Sequence, residues 1–118
     1  MPEQHYASVT NAFTESIQRF HERFGIPETK EGDWSETCDR YNMMASEFLE
    51  ANAEIHLESW SRYAHEIADV AYVALGILYL MGETGLNAIQ EVTTKNNAKN
   101  WTTHEMRPSD GKLVRRQK

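Results

Sequence analysis

Four carboxylates are notable in this sequence because of their spacing. Glu47 and Glu50 form one pair at i and i+3, and Glu66 and Asp69 form a second pair after fifteen intervening residues. On a helix, residues three apart lie on one face, with Cβ atoms about 5 to 6 Å apart. If the helices that carry the two pairs pack antiparallel, we expect the four carboxylates to meet in the groove between them.

Carboxylates brought together in this way repel one another, and a divalent cation relieves the repulsion. Carboxylate oxygens are hard ligands, so the pattern favours Mg²⁺, with Mn²⁺ as a substitute. Because Mg²⁺ bound by carboxylates usually also binds a substrate phosphate, the pair spacing indicates a phosphorylated substrate. Glu54 lies seven residues after Glu47 on the same helix face. It is a further candidate, either to hydrogen-bond the metal ligands or to bind the metal through a water molecule.

Other interpretations of the acidic pairs stay open. Pairs at this spacing are common on solvated helix faces, but Glu66 and Asp69 adjoin the apolar run from Ile67 to Gly82, where an unpaired charge is costly. A di-iron carboxylate bundle would need Glu-x-x-His, and none of the five histidines lies three residues after a glutamate. The remaining alternative is a non-enzymatic helical interaction protein with an acidic face.

Helices must position these residues. Phe13, Ile17, Phe20 and Phe24 recur at helical spacing, so we expect a first helix over residues 12–24, capped by Ser8 or Thr10 and ended by Gly25. A capping box, Asp33 to Glu36, starts a second helix that runs from about Trp34 into the fifties. The third is predicted from residues 59–61 to Tyr79 or Met81. After a break at Gly82–Gly85, Asn87 caps a fourth helix that extends to about Lys99.

Two of these helices carry apolar faces that need partners. The inner side of the second helix is predicted to hold Tyr41, Met44, Phe48 and Ile55. The inner positions of the third are Ile67, Val70, Ala71, Ala74, Leu75 and Leu78. This arc is wider than one neighbouring helix would bury, which predicts a helix that is central to a bundle or shared with another subunit.

The whole chain is predicted to be one all-α domain over residues 1–118, resembling a four-helix bundle, with its core in residues 12–100 and an irregular tail in residues 101–118. A single cysteine, Cys38, cannot form an intrachain disulfide, and this favours a cytoplasmic location. The net charge of −6 argues against nucleic-acid binding. The longest apolar run has 16 residues, fewer than the ~20 that cross a bilayer, so no membrane partner is expected.

The order of these motifs resembles a known family. Glu47-x-x-Glu50 is followed by Glu66-x-x-Asp69 and an apolar helix, and further segments support the likeness. These segments are residues 20–27 (FHERFGIP), 68–76 (ADVAYVALG), Glu91-Val92 with residues 96–99 (NNAK), and residues 110–112 (DGK). The chain therefore resembles the all-α nucleoside triphosphate pyrophosphatase superfamily, and within it the small MazG-like and phosphoribosyl-ATP pyrophosphatase-like proteins.

That resemblance implies a magnesium-dependent enzyme that hydrolyses a nucleoside triphosphate to the monophosphate and pyrophosphate, and that assembles as a homodimer or homotetramer. It implies that Mg²⁺ is bound by Glu47, Glu50, Glu66 and Asp69, with Glu47 and Glu50 as catalytic residues and Glu47 as the proton acceptor. The expected substrate-binding residues are Asn96 and Lys99, which match nucleotide-contacting residues of the family, together with Trp101 and Lys112. The alternative for Lys99 is an exposed lysine at a helix end, and the alternative for Trp101 is a packed tryptophan.

Overall fold

The computed structural model describes residues 3–117, and these form four helices and one small sheet. The helices are α1 (Glu3–Arg23), α2 (Trp34–His56), α3 (Trp60–Leu80) and α4 (Glu83–Asn97). The strands are β1 (His104–Met106) and β2 (Leu113–Arg115). The prediction of an all-α chain with about four helices is confirmed. None of the helices in the described residues is long and apolar enough to cross a membrane.

Two compact units divide the chain, residues 1–86 and residues 87–118. In the first unit, α3 packs against both α2 and α1. The second unit contains most of α4 and the antiparallel pairing of β1 with β2, in which Glu105 lies opposite Val114. That all 118 residues form a single domain stays a prediction.

The connection between α1 and α2 follows the local signals in the sequence. Gly25 has a positive φ of 61°, and its backbone N–H donates to the backbone carbonyl oxygen of Glu22. The backbone N–H of Ile26 donates to the carbonyl oxygen of His21. These two hydrogen bonds form a Schellman motif, which satisfies carbonyl groups at the end of α1. Asp33 caps α2, because its carboxylate accepts the backbone N–H of Glu36 at 3.1 Å.

The packing of α1 on α3 depends on one small residue and one aromatic residue of α3. A Cβ added to Gly76 would lie 2.9 Å from the buried imidazole of His21, so glycine permits this close approach. The Nδ1 of His21 donates to the carbonyl oxygen of Ile17 at 2.7 Å, which makes His21 a structural residue. The Tyr72 hydroxyl bonds Ser16, and its ring meets Phe13 edge to face.

Three predicted boundaries are wrong. α1 already includes Glu3, and the Thr10 hydroxyl donates to carbonyl groups within the helix at Tyr6 and Ala7, so Thr10 does not cap it. α4 begins at Glu83, before the predicted cap Asn87, and runs through Gly85. The tail is not irregular throughout, because β1 and β2 form a hairpin whose turn is closed by an ion pair of 2.6 Å between Arg107 and Asp110.

The predicted inner face of α2 is also wrong for the single chain. Tyr41, Phe48 and Ile55 are exposed, while the buried residues of α2 are Ala51 and Glu54. On α3, Ile67 and Ala71 are exposed, and the other predicted inner positions are half-buried. The physical reason is that α3 contacts the side of α2 that carries Ala51 and Glu54, so the aromatic side faces outward.

Candidate metal site

The groove between α2 and α3 brings the two acidic pairs together. Only three residues separate the end of α2 from the start of α3, and the helices pack against each other. Glu54 pairs with Arg62, whereas Glu50, one turn earlier on α2, lies near Glu66, one turn later on α3. This order of contacts is that of an antiparallel helical hairpin.

Three of the predicted ligands converge on one place. Glu47, Glu50 and Glu66 each supply a carboxylate oxygen, and these oxygen atoms lie within 4.8 Å of one another. Glu47 and Glu66 are half-buried and Glu50 is exposed, so the cluster is open to solvent on one side. This arrangement provides an all-oxygen donor set that is accessible from solvent.

The fourth predicted ligand, Asp69, belongs to a second, overlapping group. His65, Glu66 and Asp69 offer ligand atoms within 4.8 Å of one another, and Nδ1 of His65 lies 3.5 Å from a carboxylate oxygen of Asp69. Glu66 is common to both groups. Sequence reasoning missed His65, although its i, i+4 spacing from Asp69 is the signal that would have found it.

The crowding of negative charge raises the pKa of two carboxyl groups. Burial raises the pKa of Glu66 above its ordinary value, and the negative charges of Glu50, Asp69 and Glu54 raise it further, against a smaller opposing effect of His65. Burial likewise raises the pKa of Glu47, with contributions from the Glu50 charge and from Asp69. The Glu50 carboxylate also raises the pKa of Glu47 because it can accept a hydrogen bond from the protonated Glu47 carboxyl group.

Two buried oxygen atoms in the groove have no hydrogen-bond partner. They are the Oε2 atoms of Glu54 and Glu66. Glu54 is only 8% exposed, and its other oxygen lies 3.4 Å from the guanidinium group of Arg62, a residue that sequence reasoning also missed. Buried carboxylate oxygens without partners are costly in a folded protein. A divalent cation would satisfy the Glu66 oxygen, so the donor set fits Mg²⁺ or Mn²⁺.

The four predicted substrate-binding residues belong to the second unit. Lys99 and Trp101 line a small cleft of about 220 Å³, together with Asn100, His104 and Leu113. Asn96 donates its side-chain amide to the carbonyl oxygen of Val92 within α4, at 3.0 Å. The Lys112 side chain is exposed beside the turn of the hairpin. Their role in substrate binding stays a prediction.

Comparison with known proteins adds no relative. No protein-family model, curated protein sequence or solved structure matches the chain. The likeness to the all-α pyrophosphatases therefore depends on the motifs quoted for it, and the functional argument depends on the geometry of the α2–α3 groove.

Proposed function

We propose that the chain is a magnesium-dependent nucleoside triphosphate pyrophosphohydrolase, which cleaves a ribo- or deoxyribonucleoside triphosphate to the monophosphate and pyrophosphate. The observation that carries the proposal is the convergence of Glu47, Glu50 and Glu66 within 4.8 Å in the α2–α3 groove. Asp69 extends this set through Glu66. The sequence resemblance supplies the reaction type.

The reaction requires no covalent bond between the protein and its substrate. A divalent cation, when bound, neutralises phosphate charge and makes water a stronger nucleophile at neutral pH. The oxygen of the attacking water forms a bond to the α-phosphorus, the bond from this phosphorus to the bridging oxygen breaks, and pyrophosphate leaves. Positioning and charge neutralisation dominate such phosphoryl transfers.

The proton of the attacking water needs an acceptor. Glu47 suits this role because burial and the negative charges of Glu50 and Asp69 raise the pKa of its carboxyl group above its ordinary value. A general base is most effective when its pKa lies near the operating pH. Glu50, Glu66 and Asp69 would hold the cation beside Glu47.

The proposal includes assembly with further copies of the chain, as a homodimer or homotetramer. Tyr41 and Phe48 are seven residues apart on α2, and with Leu49 they form an apolar patch in which each residue is more than 60% exposed. Exposed apolar clusters of this kind mark association surfaces in soluble proteins. The patch lies on a different face of α2 from Glu47 and Glu50, so assembly leaves the carboxylates free.

The test is release of pyrophosphate from a panel of ribo- and deoxyribonucleoside triphosphates, with Mg²⁺, with Mn²⁺ and with EDTA. We expect release only with the cation, and a loss of about 10² to 10⁴-fold in kcat for Glu47→Gln. Glu15→Gln, which changes an exposed acid on α1, is the matched control and keeps full activity.

Absence of hydrolysis with every nucleotide would contradict the proposal. If Mg²⁺ also left the melting temperature unchanged, the result would favour the non-enzymatic acidic interaction protein instead, because a ligand that binds only the folded state must raise stability.

A further inference from the structure

A cleft of about 370 Å³ opens where α2 ends and α3 begins. It is lined by Glu54, Ile55, Glu58, Ser59, Trp60 and Tyr63. Apolar and aromatic surface makes up most of this lining, and the polar groups are carboxylates and a hydroxyl group. Ligand pockets commonly combine an apolar wall with a few polar groups that fix orientation.

Trp60 provides a flat surface at this cleft. The residue is 85% exposed, and its ring centroid lies 6.4 Å from that of Tyr63, with the two planes tilted by 37°. Exposed aromatic rings of this kind serve as stacking platforms for nucleobases, because every base has a π-face. Trp34 is also the first residue of a helix and is 72% exposed, but it does not line this cleft.

Glu58 lines the cleft in an unusual backbone conformation. Its φ of 53° makes it the one residue other than glycine with a positive φ among residues 3–117. Glu58 directly follows Leu57, the C-cap of α2, so its left-handed backbone ends this helix and turns the chain toward α3. Its carboxylate, when ionised, only accepts hydrogen bonds, so it selects a ligand that donates them.

One residue, Glu54, belongs both to the cleft and to the groove between α2 and α3, where it pairs with Arg62. Glu54 lines the cleft and also lies close enough to Glu66 to influence its ionisation. Trp60 precedes Glu66 by six residues on α3, which corresponds to about 9 Å along the helix axis. A sugar and an α-phosphate can span such a separation, so a base at Trp60 is compatible with phosphates at Glu66.

We infer that this cleft binds the base of the nucleotide, with the ring stacked on Trp60 and an exocyclic amino group donating to Glu58. The inference rests on the proposed function and specifies its substrates as triphosphates of cytosine and adenine, whose amino groups lie on corresponding edges of the base. Uracil and hypoxanthine place a carbonyl oxygen where this amino group would be, so they offer Glu58 no equivalent donor.

The experiment compares nucleotides that differ mainly in this group: dCTP with dUTP, and ATP with inosine triphosphate. We expect kcat/KM to favour the amino-bearing member of each pair by at least about tenfold, because loss of one hydrogen bond to a charged acceptor has an effect of this order. Glu58→Gln, which adds an amide donor at the same size, reduces both ratios to near one. Glu58→Gly, which suits the left-handed backbone, does the same.

Trp60 is tested separately. Trp60→Leu raises KM for all four nucleotides by a similar factor and leaves the two ratios unchanged, because stacking does not read the amino group. Trp34→Leu is the matched control and changes neither KM nor the ratios. Quenching of tryptophan fluorescence by the nucleotide persists in Trp34→Leu and is strongly reduced in Trp60→Leu.

The outcomes separate this inference from the proposed function. Hydrolysis that persists without discrimination within either pair, or with ratios unaffected by Glu58→Gln, overturns the base assignment and leaves the function standing. A change of oligomeric mass in Trp60→Leu with unchanged KM also overturns it, since a second copy would then cover the cleft. Absence of hydrolysis with all nucleotides overturns the proposed function and this inference with it.

Discussion

The ionised carboxylate of Glu66 destabilises the folded chain, because its surroundings in the α2–α3 groove do not compensate for its lost hydration. Glu66 is half-buried, one of its oxygens has no hydrogen-bond partner, and its neighbours are negatively charged. These conditions disfavour ionisation, which is why its pKa lies above the ordinary value of 4.5. In the absence of a cation, the ionised form of Glu66 therefore destabilises the folded chain.

The stability of Glu66→Gln should consequently depend on pH in a defined direction. A raised pKa means that the folded state binds the proton more tightly than the unfolded state, so Glu66 favours folding below pH 4.5 and loses that contribution as pH rises through the raised pKa. In EDTA, we expect the stability of Glu66→Gln relative to the unsubstituted chain to increase between about pH 4 and pH 8, measured by thermal unfolding.

The same variant should respond differently to metal. Mg²⁺ raises the melting temperature of the unsubstituted chain, because it binds the ionised carboxylates of the folded state, and it has little effect on Glu66→Gln. Glu15→Gln is the control and retains the metal response without a comparable pH-dependent gain. A pH-independent difference between Glu66→Gln and the unsubstituted chain would contradict the crowding of charge around Glu66.

Spacing alone predicts part of this site. The i, i+3 rule places Glu47 and Glu50 on one face of a helix, and the structure has both near Glu66. The rule does not predict which carboxylate oxygen atoms are buried from solvent, because that burial depends on how closely α3 packs on α2. The burial of Glu54 and its pairing with Arg62 therefore required the packed structure.

Helix ends that depend on neighbouring residues could be predicted from the sequence, whereas a helix end that depends on tertiary packing could not. The ends at Gly25 and Asp33 were predictable, because the residues that form these caps are neighbours in the sequence. The start of α4 was not, because Gly85 is usually a sign of a break but here lies within the helix. A Cβ added to Gly85 would overlap the carbonyl oxygen of Leu78, so glycine is needed where the first turn of α4 lies against the last turn of α3.

Substitution of Gly85 tests this explanation. Glycine to alanine inside a helix normally stabilises it by about 1 kcal/mol. For Gly85→Ala we expect the opposite sign, a loss of about 1 to 3 kcal/mol in the free energy of unfolding, because the new methyl group meets backbone atoms that cannot move aside. Urea-induced unfolding monitored by circular dichroism provides the measurement.

Gly76→Ala is the matched comparison, since Gly76 is also helical and closely packed. Its nearest neighbour would be the His21 side chain at 2.9 Å, which can rotate more easily than a backbone carbonyl group. We expect a smaller loss than for Gly85→Ala. A gain in stability for Gly85→Ala would mean that Gly85 and Leu78 are further apart than the structure has them.

As a whole, the isolated chain buries few apolar side chains completely. Among residues 3–117, the buried hydrophobic residues are Ile17, Ala51 and Leu80, whereas many large apolar side chains are exposed. Marginal stability is normal for a domain of this size, but exposed aromatic surface on α2 is not needed for the fold. If the chain assembles as proposed, we expect a second copy to cover the apolar patch of Tyr41, Phe48 and Leu49.

Phe48→Glu tests the assembly. A charge in the centre of the patch should shift the chain to monomers, measured as molar mass by size-exclusion chromatography with light scattering, because burying an unpaired carboxylate is costly. Ser35→Glu adds the same charge at another exposed position of α2 and leaves the mass unchanged. An unchanged mass for Phe48→Glu would exclude this patch as the contact between copies.

The three-residue connection between α2 and α3 has one more consequence, which concerns how fast the protein folds. All the acidic side chains that would hold the cation lie on two helices that follow each other in the sequence. Bringing them together closes a short loop, and short loops lose little chain entropy on closure. We therefore expect the helical hairpin to form early, and Mg²⁺ to accelerate refolding as well as to slow unfolding.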